Sequence, residues 1–183
     1  MGTRHNVGAD VVFLLADRHG GHLTFSKRDR AMVDDVRIGS PGADQRVSLA
    51  FPQTYMNESG QSVRLLLRRH DLEDPTRVIV VHDELDLPPG RVRVKEGGGL
   101  AGHNGLRSIK DHLHTDAFLR VRIGIGKPPG GKERGADHVL KKPSKTDREE
   151  LAVAVHEAAD AVEMILAEGV QKAMNRYNSS PPA

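Results

Sequence analysis

The run Val78-Ile79-Val80-Val81-His82-Asp83-Glu84-Leu85-Asp86-Leu87-Pro88-Pro89-Gly90 decides how the chain is read. Four consecutive β-branched residues, Val78 to Val81, predict a strand buried on both faces, as in the middle of a parallel or mixed sheet. His82, Asp83, Glu84 and Asp86 crowd onto its C-terminal end, and Pro88-Pro89-Gly90 turns the chain. Ligands of open α/β sheets bind outside the carboxyl ends of the strands. The stretch alone fits two readings, a site at that end or a solvated acidic loop.

Moving downstream, Arg91 to Lys95 alternates basic and apolar residues as a half-exposed strand does. It leads into Gly97-Gly98-Gly99-Leu100-Ala101-Gly102-His103-Asn104-Gly105-Leu106, a glycine run that opens a helix with Leu106, Ile109 and Leu113 apolar. Such a run can bring backbone amides to an anion or serve as a lid hinge. It is not a Walker loop, because the Gly-Lys-Ser/Thr ending is absent. Leu119 to Ile125 then reads as a strand with Arg120 and Arg122 on one side. Upstream, strands are predicted over Arg30–Ile38 and Arg46–Phe51, with a turn at Gly39-Ser40-Pro41-Gly42 between them. The second runs into Pro52-Gln53-Thr54-Tyr55-Met56-Asn57-Glu58-Ser59-Gly60. The helix after it should carry Val63, Leu66 and Leu67 inward and Arg64, Arg68 and Arg69 outward. Asn57 or Ser59 suits its N-cap.

At the start of the chain, Thr3-Arg4-His5-Asn6 precedes a helix with Val7, Val11, Leu14 and Leu15 on one stripe, ended by Gly20-Gly21. His5 then sits at or just before a helix N-terminus, where the dipole disfavours imidazolium. A neutral imidazole there can act as a base near neutral pH. His19, His22, His70, His112 and His114 read as ordinary surface residues. Near the other end, Ser144 and Asp147 resemble a capping box with Asp in place of Glu/Gln. The helix behind it runs to Glu168, stops at Gly169, and turns Leu151, Val155, Val162 and Leu166 inward. A tail from about residue 178 is expected to be disordered.

With 183 residues the chain fits a single domain with a real core. It has no cysteine, which excludes disulfides and thiolate metal sites. No apolar run reaches membrane-spanning length and no signal-peptide core opens the chain, so a soluble, cytoplasmic protein is expected. Net charge is only +2, but Lys127–Lys145 carries a local +4 and Thr146–Glu168 a local −6. Such blocks fit a basic face for an anionic partner, or a solvated loop beside an acidic helix. The expected fold is α/β, a single domain (residues 1–183) with a mixed β-sheet flanked by α-helices.

The motifs assemble in order: Thr3-Arg4-His5-Asn6; Thr54-Tyr55-Met56-Asn57-Glu58-Ser59-Gly60; His82 through Gly90; Gly97-Gly98-Gly99 with Gly102-His103-Asn104-Gly105-Leu106; Arg120-Val121-Arg122-Ile123-Gly124-Ile125-Gly126; and the final Lys172-Ala173-Met174-Asn175-Arg176. In this order and spacing they closely resemble the bacterial-type peptidyl-tRNA hydrolases, over nearly the whole chain. The resemblance implies an enzyme that cleaves the ester joining a peptide to the 3′ end of tRNA, freeing tRNA for reuse in translation. It implies that His5 is the general base that deprotonates water and that Asp83 holds its imidazole and stabilises the protonated form. Asn57 and Asn104 would hold the substrate's backbone and ester with their amides, and Tyr55 would line the peptide channel. Lys95 and Arg122 would face tRNA phosphate near the acceptor stem, with the Lys127–Lys145 loop extending that surface. No metal or other cofactor is implied, no membrane partner, and a monomer is expected.

Family members open with an apolar strand, a Gly-Asn-Pro-Gly turn and a Tyr before Thr-Arg-His-Asn, whereas only Met1-Gly2 stand before Thr3 here. Burying five or six strand residues contributes on the order of 5–10 kcal/mol at roughly 1.5 kcal/mol each. Total stability is typically about 5–15 kcal/mol. The expectation is therefore a true start further upstream, or a truncated enzyme that folds poorly and acts slowly. The alternative function is an RNA-binding protein on the same scaffold with catalysis weakened or lost; the presence of both His5 and Asp83 argues against it. A metal-dependent hydrolase built on His82, Asp83 and Asp86 has little support, since no metal-ligand spacing is present.

Overall fold

The structure, a computed structural model, describes residues 6–127 and 144–179. His5, the preceding N-terminal residues, most of the basic loop and the last four residues lie outside the described residues. Among the described residues, five α-helices and six strands follow in the order α1 (Val7–Arg18), β1 (Thr24–Ser26), β2 (Ala31–Ile38), β3 (Gln45–Pro52), α2 (Ser59–Arg69), β4 (Ile79–Glu84), β5 (Val92–Glu96), α3 (Asn104–Leu113), β6 (Leu119–Gly124), α4 (Lys145–Glu168) and α5 (Val170–Asn178). The class is α/β, as expected. The strands form two three-stranded sheets, ordered β1-β2-β3 and β4-β6-β5.

The chain divides into two compact units. The first comprises Met1–Leu14, Val80–Lys95 and Arg120–Ala183. It holds most of the sheet that carries the His82-Asp83-Glu84 run. Leu119 N donates to Val78 O and Ile125 N to Glu84 O, so β4 and β6 run in the same direction. Gly124 N donates to Arg91 O and Gly97 N to Phe118 O, which sets β5 antiparallel to β6. The sheet is therefore mixed. Its middle strand is β6, where Val121 and Ile123 are wholly buried. β4, like β5, is an outer strand among the described residues, and Ile79, Val80 and Val81 are only half-buried. The expectation of a central strand buried on both faces is corrected here: an outer strand has one side without a sheet neighbour, and β6 takes the core position instead.

Alternation along β5 follows the sequence, with Val92 and Val94 buried and Arg93 and Lys95 half-buried. At the outer edge of β5, the Asn178 side chain accepts from Val94 N at 3.0 Å and donates to Val94 O at 2.8 Å. Arg93 Nη1 donates to the Tyr177 carbonyl at 2.7 Å, a second link from β5 to the end of α5. The tail expected from about residue 178 thus begins no earlier than the end of this helix.

Ser144 and Asp147 form the capping box that starts α4, with both reciprocal hydrogen bonds made. α4 turns Leu151, Val162 and Ile165 inward, but the rest of its buried stripe is alanine: Ala154, Ala158, Ala159 and Ala161. Val155 and Leu166 are only half-buried. Small side chains let a helix lie close to its neighbours, which the larger residues at 155 and 166 would prevent. Gly169, at φ +89°, makes the positive-φ turn that folds α5 back onto α4.

The second unit comprises Leu15–Ile79 and Glu96–Leu119. Its sheet is antiparallel, with β2 in the centre, Thr24 opposite Val33, and Ala31 opposite Pro52. α2 and α3 pack together, and here the predicted inward face of α2 is corrected. Ser59, Gly60 and Ser62 are buried, while Val63, Leu66 and Leu67 are half-buried. The crossing is tight: a Cβ on Gly60 would run into the Ser108 carbonyl and lie 2.6 Å from His112 Nδ1. Only small residues fit that contact. At the far end of α2, Asp29, 1% exposed, accepts from Arg69 at 2.7 Å, and Arg46 pairs with Asp35 at 2.7 Å.

Candidate active site

The acidic run of the first unit is not a solvated loop. His82, Asp83 and Glu84 lie inside β4 and are 5%, 4% and 6% exposed. Three consecutive buried ionisable side chains at a strand end demand partners. His82 Nδ1 lies 2.7 Å from the Asp83 carbonyl oxygen, so this nitrogen carries the proton and donates. Glu84 is held on both carboxylate oxygens. Oε2 accepts from Arg122 Nε at 3.2 Å and faces Arg122 Nη2 at 3.2 Å, while Oε1 accepts from Asp86 N at 3.2 Å.

Arg122 of β6 therefore does not stand as a lone surface cation; its side chain is 22% exposed and its guanidinium is engaged by Glu84. Lys95 of β5 is half-buried and makes no ion pair among the described residues. Arg120, on the same side of β6, is 1% exposed and belongs to the core.

α1 comes up against this strand end. A Cβ built on Gly8 would lie 3.0 Å from Val81 C and 3.5 Å from His82 Cα, and closer still to the Val81 carbonyl oxygen. Normal carbon–carbon contact begins at about 3.5 Å, so only glycine permits the first turn of α1 to sit on β4 at this point. Gly8 follows His5 by three residues, and the strand segment it touches precedes Asp83 by one or two. In the same first turn, burial raises the Asp10 carboxyl above the ordinary carboxylate range. Gly8 carried no signal by itself in the sequence. A glycine in the first turn of a helix that follows a candidate base is the clue that could have singled it out.

Tyr55, Asn57 and Asn104 belong to the second unit. Tyr55 is 81% exposed. Asn57 occupies the middle of a short 3₁₀ turn, Met56–Glu58, and is exposed. It does not cap α2: the N-cap position is Glu58, without a side-chain bond, and Ser59 Oγ donates back to Met56 O at 2.8 Å. The Asn57 amide makes no hydrogen bond among the described residues. The N-cap of α3 is His103, whose Nδ1 accepts from Gly105 N at 3.1 Å and Leu106 N at 3.3 Å. A ring nitrogen that accepts twice is unprotonated, so the His103 proton is on Nε2. Asn104 is the first residue of α3, exposed and likewise unengaged. The turn and the helix meet where a Cβ on Gly105 would lie 2.6 Å from Met56 Sδ. Asn57 and Asn104 thus flank one contact and present two open amides beside it.

A separate cleft of about 500 Å³ lies in the first unit between Leu85–Pro89 and Ile125–Lys127, with Asp147 at its rim. Asp86 of the acidic run and Lys127 of the basic segment line it, whereas Tyr55, Asn57, Asp83, Lys95, Asn104 and Arg122 do not. No group of three potential metal-ligating side chains occurs among the described residues. No helix there is long and apolar enough to cross a membrane.

Known proteins resemble the chain over nearly its whole length. The family described as peptidyl-tRNA hydrolase matches residues 1–183. A peptidyl-tRNA hydrolase of Cutibacterium acnes is 47% identical over 97% of this chain and 91% of its own length. One from Rhodococcus erythropolis is 49% identical over 96% of this chain and 90% of its own. The crystal structure of peptidyl-tRNA hydrolase from Acinetobacter baumannii superposes with a TM-score of 0.87 at 39% identity, covering all of this chain and 89% of that one. A catalytically silent RNA binder is not favoured by these relatives. The chain belongs to the peptidyl-tRNA hydrolase family, and the reaction of that family is the hydrolysis of peptidyl-tRNA.

Proposed function

We propose that His5 activates the attacking water and that Asp83 orients and stabilises it. Water gives a proton to the neutral imidazole as its oxygen attacks the ester carbonyl carbon. The tetrahedral intermediate then collapses, the bond to the tRNA 3′ oxygen breaks, and the imidazolium returns the proton to that leaving oxygen. Asp83, a carboxylate in a nearly dry setting, favours the imidazolium at the moment it forms. The open amides of Asn57 and Asn104 hold the peptide backbone and ester, and Tyr55 borders the peptide. An amide both donates and accepts, which suits a substrate whose backbone is constant while its side chains vary.

Lys95 and Arg122 take the phosphates of the acceptor-stem end, with the Lys127–Lys145 segment extending the basic surface, and the enzyme works as a monomer in the cytoplasm. The observation that supports this reading most directly is the contact of Gly8 with Val81 and His82, which seats the start of α1 beside Asp83. The test is His5→Ala, which should lower turnover by at least about a hundredfold while tRNA binding survives. Asp83→Asn should also impair turnover, since an amide cannot stabilise imidazolium. Near-normal turnover in His5→Ala would overturn the mechanism.

A further inference from the structure

One buried ionisable group of the first unit has no part in that chemistry. Glu84 is 6% exposed, follows Asp83 directly, and lies too deep to meet substrate. Successive side chains of a strand point to opposite faces, so Glu84 faces away from the side on which Asp83 works. Its two oxygens tie three segments together. One holds the Nε and Nη2 edge of Arg122 on β6, and the other holds the backbone N–H of Asp86 in the turn after β4. Its own carbonyl accepts from Ile125 N at 3.1 Å, just beyond β6.

A guanidinium has five N–H donors in a fixed plane. With Nε–H and one Nη2–H turned to Glu84, three remain, and their direction is set by the carboxylate. We propose that Glu84 is a positioning residue: it aims the free edge of Arg122 at a substrate phosphate and locks that arginine to the strand bearing Asp83. This rests on Arg122 being a phosphate contact. Glutamine cannot replace it, because one amide end would have to present a donor to a donor, either to Arg122 or to Asp86 N–H. Without the carboxylate, Arg122 must be ordered anew at each binding event. Fixing one long side chain corresponds to roughly three- to tenfold in affinity.

The experiment compares Glu84→Gln, Arg122→Ala and the double variant on two substrates. One is full-length peptidyl-tRNA; the other is a short 3′-terminal fragment carrying the same peptide ester but lacking the stem phosphates. Glu84→Gln should raise KM for the full-length substrate roughly three- to tenfold with kcat little changed, leave KM for the fragment unaltered, and add nothing in the Arg122→Ala background. If Arg122→Ala itself leaves the full-length KM unchanged, the phosphate reading of Arg122 fails and the role of Glu84 falls with it. If Arg122→Ala raises KM but Glu84→Gln does not, or acts equally on both substrates, or adds to Arg122→Ala, then the phosphate reading stands and the positioning role is refuted. Should Glu84→Gln not fold, Arg122→Lys decides: it keeps the charge and loses the fork, so KM should rise as in Arg122→Ala, and a normal KM overturns the proposal.

Discussion

Replacing Gly8 by alanine should separate the position of α1 from every other requirement of catalysis. The new methyl carbon would lie 3.0 Å from the Val81 carbonyl carbon and nearer to its oxygen. Carbon–carbon contacts settle at about 3.5–4.0 Å, so the first turn of α1 must retreat from β4 by roughly 0.5–1 Å. Neither side can yield by a side-chain rotation, since the obstacle is backbone. A misplacement of about 1 Å between a base and its partner can lower the rate on the order of a hundredfold. Overpacking costs about 1–3 kcal/mol, while removing a glycine from a helix returns about 0.5–1 kcal/mol. The net loss of stability is therefore about 2.5 kcal/mol at most, which leaves the enzyme folded. The expected result is kcat reduced by about ten- to a hundredfold, KM within a factor of two or so, and a melting temperature lower by about 10 °C at most. Single-turnover hydrolysis of peptidyl-tRNA beside a thermal melt reads both. A folded Gly8→Ala variant with wild-type kcat would refute the argument that this contact sets the base against Asp83.

Lys95→Ala should weaken tRNA binding and reduce the slope of log affinity against log salt by about one, as loss of a single phosphate contact does; an unchanged slope would remove Lys95 from the interface. Gly60→Ala places a methyl against the Ser108 carbonyl and His112. It should cost about 1–3 kcal/mol, at about 2–4 °C of melting temperature per kcal/mol, and a neutral result would mean that α2 and α3 can separate freely. Burial works against ionisation of Asp35, but hydrogen bonds from Arg46 and Ser48 together with the charges of Arg46 and His70 outweigh it and hold the carboxyl below the ordinary carboxylate range. A depressed folded-state pKa contributes stability that is present above the unfolded value, near 4, and lost as pH falls through the folded one. Melts recorded from pH 6 down to pH 3 should therefore converge for wild type and Asp35→Asn; parallel curves would contradict the shift.

Much of the fold was legible because its signals are local. The Ser144–Asp147 box, the Gly169 stop and the alternation from Val92 to Lys95 depend on residues within a few positions of one another, and each formed as read. What stayed hidden depends on partners distant in sequence. Val78 to Val81 looks like a core strand, yet β6 and not β4 takes the middle of the sheet. The inner faces of α2 and α4 are chosen by how closely another helix approaches, so Gly60 and Ala158 outrank Leu66 and Val155. The motif around Asp83 marked the candidate site, but nothing in Glu84 or Arg122 alone announces their pairing across 38 positions. Asn57 illustrates the converse. Its type suited a helix cap, and only the fold, by giving the N-cap position to Glu58, leaves its amide open.

The grip of Asn178 on Val94 has a bearing on how the protein behaves in a crowded solution. A strand at the border of a sheet offers a row of vacant amide groups to any extended chain that drifts past. Asn178 supplies, from one side chain, the same donor and acceptor that another strand would bring, and so occupies the landing place at the middle of β5. With that landing place vacated, Asn178→Ala should shorten the time to turbidity at high protein concentration well before it affects hydrolysis.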